Sequence, residues 1–106
     1  MNLNDLFASE LDAEGITYQR EFKAIAGRQF RYDFYIEHDP PDGFSLLVEL
    51  QGGVWMKKGA HNTGKAINRD CEKLNLAVLR GHNVMHFTTD MVEDGTAIQQ
   101  VKEWMG

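Results

Sequence analysis

Apolar residues recur three and four positions apart at the start of the chain. Leu3, Leu6, Phe7 and Leu11 would line one face of a helix over residues 3–14. Gly15 is placed to stop it, since glycine takes the left-handed conformation that ends helices. The period then changes. "ITYQREFKAIAGRQFRYDFYIE" is rich in β-branched and aromatic residues and breaks at "AGR", so it reads as two strands of a hairpin. "HDPPDG" is a second reversal, because Pro-Pro cannot continue a ladder and Asp-Gly favours a tight turn. "FSLLVELQ" is the third strand. Residues 53–64 hold Gly53, Gly59, Asn62 and Gly64 and read as a loop.

A helix is predicted from Lys65 to Arg80, with Ile67, Cys71, Leu74 and Val78 as its apolar stripe and Gly81 as its cap. The stripe is expected to be buried and Cys71 to be a core residue. "NVMHFTT" is a fourth strand, and a last helix over Thr96–Met105 turns Ile98, Val101 and Trp104 or Met105 inward. The order α-β-β-β-α-β-α predicts an α/β fold: a mixed four-stranded sheet flanked by helices. The third strand, its helix and the fourth strand form one crossover, which should be right-handed.

The 106 residues suffice for one core and are expected to form a single domain, 1–106. The lone cysteine rules out an internal disulfide, and with four histidines it makes a poor structural zinc set. The start, "MNLNDLFASEL", carries acids where a secretory leader has lysines, and no apolar run approaches the roughly 18 residues of a membrane span. A cytoplasmic protein with no membrane partner and no small-molecule cofactor is expected.

A net charge of -5 argues against a nucleic-acid partner until its distribution is considered. Residues 57–82 hold Lys57, Lys58, Lys65, Arg69, Lys73 and Arg80 against Asp70 and Glu72, a local balance of +4. The acids crowd toward the two ends. Screening over about 8 Å makes such local clusters count more than the total. A solvated helix face accounts for the same run equally well.

The strand "LLVELQGG" raises the sharpest question, since Glu49 and Gln51 interrupt an apolar run. If the first turn centres on Gly27, residue i pairs with 54 minus i, and Glu21 faces Asp33. If the second centres on Pro41, i pairs with 82 minus i, and Asp33 faces Glu49. Directly opposed residues share a sheet face, as does Gln51 two positions on. Glu21, Asp33, Glu49 and Gln51 would then cluster, unless the register slips by one residue. Such carboxylates repel unless a cation neutralises them. Arg28 or Arg31 could do so in a structural ion-pair network. A divalent cation could do so instead, and hard oxygen ligands suit Mg²⁺ or Mn²⁺. Beside a basic helix, the matching substrate is a phosphodiester.

"RYDFYI" (Arg31–Ile36), "VELQGGVW" and the run "GAHNTGKAINRDCEKLNLAVLRGHNVMHFTTDMV" resemble the PD-(D/E)XK nuclease superfamily. They are similar to small phage and bacterial members near the VRR-NUC and Holliday-junction-resolvase-like groups. The resemblance covers about residues 20–98 and implies a restriction-endonuclease-like sheet and Mg²⁺- or Mn²⁺-dependent hydrolysis of DNA. It makes Asp33 and Glu49 metal ligands, with the carbonyl of Leu50 as a third. Gln51 falls where the family has lysine, and an amide cannot serve as an ammonium does. Lys73 and Lys65 are then candidates to reach in from the helix. The family's arginine after Gly59 is Ala60 here, with Lys57 or Lys58 to compensate. His61 would touch the scissile phosphate or shuttle a proton, or else be a surface histidine.

Other residues have plainer readings. His82 and His86 straddle a strand entry and are expected to be structural, Trp55 to pack, and Glu10 to be solvated rather than to reach a metal. Gly52 and Gly53 fit either close phosphate approach or a strand-ending bend. A homodimer fits so small a body, though no residue singles out an interface. The competing class is a degenerate nuclease that binds DNA without cutting it.

Overall fold

The computed structural model of the chain describes residues 1–38, 43–52 and 64–106. Its elements are α1 (Leu3–Ala13), β1 (Tyr18–Phe22), β2 (Tyr32–Glu37), β3 (Ser45–Gln51), α2 (Gly64–Leu79), β4 (Asn83–Thr88), α3 (Thr89–Glu93) and α4 (Thr96–Met105). The expected order holds, with α3 added. Five residues are too few to show a helical period. α3 starts where the Thr88 hydroxyl accepts the Met91 N–H at 3.3 Å, a side-chain cap. Among the described residues no helix is long and apolar enough to cross a membrane.

Local chemistry ends the helices where the sequence places the ends. At Gly15 (φ 70°) the chain closes α1 with Ile16 N–H donating to the Leu11 carbonyl at 3.0 Å. α2 closes alike at Gly81 (φ 88°), with His82 N–H donating to Ala77 at 3.0 Å. Both are left-handed caps that satisfy orphan carbonyls of the last turn.

The sheet order is β1-β2-β3-β4, with the first two pairings antiparallel and β3–β4 parallel. Tyr18 pairs with Ile36 and Phe22 with Tyr32, the register of a turn centred on Gly27. Phe34 pairs with Val48, the register of a turn centred on Pro41. The rung that would join Glu21 to Asp33 is missing from the ladder. Glu21 is left-handed (φ 51°), and the alternation of faces changes there. Tyr18 and Phe34 belong to one apolar cluster, whereas Phe22 and Tyr32 belong to the other.

The larger cluster lies between the sheet and α1, α3 and α4. Phe7, Leu11, Phe34, Ile36, Leu46, Val48, Phe87, Val92 and Val101 are almost wholly buried in it. Phe7 is central, edge-on to Phe34 with ring centroids 5.1 Å apart and 5.9 Å from Phe87. Burying each such side chain contributes about 1.5–3 kcal/mol. The opposite face carries a smaller cluster of Ile25, Tyr32, Leu47 and Ala77 beneath α2.

The expected packing of α2 is corrected here. Ile67, Leu74 and Val78 are 48%, 38% and 57% exposed, and Cys71 is exposed as well. The helix turns Ala77, its buried residue, toward the sheet, and Lys73 on the same face. The reason lies in the sheet. Beyond Leu47 this face presents Glu49, Gln51 and His86, which call for polar partners rather than a leucine stripe. Ala77 is small enough to let the helix approach.

Candidate active site

The parallel pairing of β3 with β4 builds the site. Glu49 pairs with His86 and Gln51 with Thr88, so Glu49, His86 and Gln51 share the face under α2. A cavity of about 140 Å³ opens there, walled by Glu49, Gln51 and His86 from the strands and Asp70 and Lys73 from α2. Tyr32 closes its inner end, its hydroxyl donating to the Lys73 carbonyl at 2.6 Å and so pinning that turn of α2 over the sheet.

Asp33 arrives from β2 where the ladder breaks. The β2–β3 ladder ends at Phe34 and Val48, short of the expected Asp33–Glu49 rung, and Asp33 Oδ2 instead accepts the Leu50 N–H at 2.8 Å, holding the carboxylate against β3. Glu49 is only 13% exposed and pairs with the ammonium of Lys73, itself 21% exposed. Burial pushes the Glu49 carboxyl up to about 7. The neighbouring Asp33 carboxyl pushes the same way, while the hydrogen bond and charge of Lys73 pull it down. Two carboxyl groups within reach of each other, one of them close to half-protonated at neutral pH, mark a place short of positive charge.

Gln51 and His86 form the outer wall, with the amide Nε2 3.1 Å from His86 Nδ1. As placed, the amide donates and the ring proton sits on Nε2. With the amide turned over, its oxygen accepts from Nδ1–H and Nε2 keeps a free lone pair. Burial holds the imidazole below its ordinary value, with Lys73 adding to the effect and Asp70 and Asp33 opposing it. The sequence reading gave His86 a structural place only. The rung opposite Glu49 brings it into the cavity, and strand alternation alone does not say which residue of β4 falls there. Asp70 of α2, counted in the sequence only toward the charge balance, lines the same cavity.

The remaining candidates are dispersed. Glu21 is exposed and does not line the cavity. Lys65 and Arg69 are exposed on α2. Lys57, Lys58, His61 and Trp55 lie outside the described residues. Glu10, expected to be solvated, has a buried Oε1 that finds no hydrogen-bond partner among the described residues, and burial raises its carboxyl. It stands on α1, across the sheet from α2. His82 lies at the other end of the sheet, 2.6 Å from the Ser45 hydroxyl. A methyl group at Gly52 would come within 2.9 Å of Leu3 Cδ2, so this glycine lets the N-terminal turn of α1 close over the end of β3. Among the described residues no three His, Cys, Asp or Glu side chains gather as a metal cage.

The mixed sheet and its flanking helices form a nuclease-like α/β fold. The chain superposes on the catalytic domain of the homing endonuclease I-Bth0305I with a TM-score of 0.69 and 20% identity, covering 97% of this chain and 92% of that one. No family model and no curated protein sequence matches.

Proposed function

We propose that this chain is a metal-dependent DNA endonuclease that hydrolyses phosphodiester bonds at the Asp33–Glu49–Lys73 cluster. The observation that carries the reading is the convergence of two carboxylates from adjacent strands, beside a lysine, in a nuclease-like fold. The donor set fits Mg²⁺ or Mn²⁺. Such ions take one or two protein carboxylates and complete their shell with water and substrate phosphate, so no third side chain is required. Asp33, Glu49 and the Leu50 carbonyl would hold the ion, which supplies a Lewis acid and a bound water of lowered pKa.

The protein's own groups then have distinct tasks. Asp33 is held in place by the Leu50 N–H and need not reorganise on binding. Lys73, its ammonium nitrogen 4.8 Å from the Tyr32 ring centroid, supplies the ammonium that Gln51 lacks and balances charge developing on the phosphate. His86 is neutral near pH 7 and accepts a proton at Nε2 when the Gln51 amide oxygen holds Nδ1–H. DNA as substrate is supported by the structural likeness to the homing endonuclease catalytic domain and by the family resemblance. A preference for junctions, flaps or nicks, and pairing of two subunits, belong to the same proposal.

Supercoiled plasmid incubated with Mg²⁺ or Mn²⁺ tests it. Wild type should nick or linearise the plasmid, EDTA should stop it, and Asp33→Ala and Glu49→Ala should each abolish it. A second reading, a DNA-binding module that does not cut, draws on the amide at position 51. Under that reading DNA is retained but left intact whatever the metal.

A further inference from the structure

A second groove runs beside the cavity, between the loop joining β1 to β2 and the flank of α2. It encloses about 550 Å³, with Arg28, Phe30 and Arg31 on the loop side and Arg69, Asp70 and Lys73 on the helix side. Asp70 and Lys73 also wall the site, so the two spaces are continuous.

The groove is built rather than incidental. Arg28 grips Glu72 of α2 with two hydrogen bonds of 2.6 and 2.8 Å, and its guanidinium lies 4.5 Å from the Phe30 ring centroid. Ile25, 3% exposed, plugs the same loop into the small core. These contacts fix the loop against the helix and set the groove width. Arg28 and Lys73 are thereby committed to Glu72 and Glu49. Arg31 and Arg69 are not: among the described residues neither has a hydrogen-bond or ion-pair partner. An acidic protein that leaves two arginines unmatched beside paired carboxylates has reserved charge for an anion that arrives with the substrate.

We propose that this groove is the track for the DNA strand entering the site, with Arg31 and Arg69 as its phosphate contacts and the Arg28–Glu72 clasp as the element that holds them apart. The inference rests on the nuclease reading for its choice of DNA. It assigns Arg31 and the β1–β2 loop to substrate binding. The occupant is a phosphodiester backbone because Arg31 and Arg69 leave unmatched positive charge in the groove and it ends at the groups that would cleave one. Guanidinium groups suit such a track, since each presents a planar fork to phosphate oxygens.

Anisotropy of a fluorescent DNA oligonucleotide, titrated with protein in EDTA over a range of salt, tests the track without cleavage. Arg31→Ala and Arg69→Ala should each flatten the slope of log K against log salt by about 0.9, which is about an eightfold loss of affinity at 0.1 M salt. Arg31→Lys should retain the slope. Arg80→Ala, an exposed arginine of the same region but outside the groove, should change nothing. A double Arg31→Ala/Arg69→Ala variant that melts like wild type, yet binds with unchanged affinity and slope, overturns the track. Cleavage assays of the same proteins separate the two ideas. Metal-dependent cutting by wild type that the double variant retains in full leaves the nuclease standing and removes the track. Binding that needs both arginines, with no cutting in any metal, leaves the track standing and removes the nuclease.

Discussion

The ammonium of Lys73 on α2 lies against the carboxylate of Glu49 on β3, and only 21% and 13% of the two side chains remain exposed. A helix that might have buried a leucine stripe instead turns a lysine to the sheet. That pair links the packing of α2 to the chemistry beneath it, because the group that satisfies Glu49 also fixes which face of the helix is hidden.

The first prediction concerns pH. The Glu49 carboxyl is raised from 4.5 to about 7 in the folded protein, so the native state holds this proton more tightly than the unfolded chain. Its contribution is therefore fully present below pH 4.5 and is lost as pH rises through 7, a span worth about 3 kcal/mol at most. In urea melts of protein stripped of metal by EDTA, wild type should lose stability relative to Glu49→Gln between pH 4.5 and 8. Lys73→Ala should cost little at pH 5, where Glu49 is protonated. At pH 8 it should cost about 1–3 kcal/mol more, because a partly buried carboxylate is then stranded.

Asp33 separates charge from geometry. An asparagine there keeps an oxygen to accept the Leu50 N–H but removes the negative charge beside Glu49. Asp33→Asn should fold with stability within about 1 kcal/mol of wild type. Cleavage should fall by more than about a hundredfold, the upper range for groups one shell further from a metal. Calorimetry with Mn²⁺ provides a second readout, in which the binding heat should vanish while the thermal melt stays sharp.

The exposed stripe of α2 makes a third prediction. Ile67→Ser and Val78→Ser should change stability by no more than about 0.5 kcal/mol, as surface changes do. Ala77→Leu should cost about 1–3 kcal/mol through overpacking where the helix meets the sheet. Cys71 in the native protein should react with a thiol reagent nearly as fast as in urea.

This stripe shows where reading the sequence succeeded and where it stopped. The helix ends at Gly15 and Gly81, the strand order and both hairpin registers were legible, because turn residues and a two-residue alternation act locally. The face of α2 was not. Periodicity shows that Ile67, Cys71, Leu74 and Val78 share a side, but the polarity of the sheet beneath decides whether that side is hidden. Glu21 was read as a member of the acidic cluster from the ideal ladder, and a left-handed residue in the strand breaks the rung. His86 was passed over for the opposite reason. Its place beside Glu49 depends on the register of two parallel strands separated by a whole helix, which no local signal sets.

Gln51 and His86 supply the last prediction. If the amide serves only to orient the imidazole, the two residues act as a unit. His86→Ala should then lower cleavage by about a hundredfold, the lower range for a general base. Gln51→Ala should lower it less. The double variant should be no worse than His86→Ala alone, since the amide has nothing left to position. Plasmid cleavage rates for the four proteins at one Mn²⁺ concentration form the cycle. Losses that add in the double variant would mean that Gln51 acts on the phosphate or the metal directly, and that His86 works without its help.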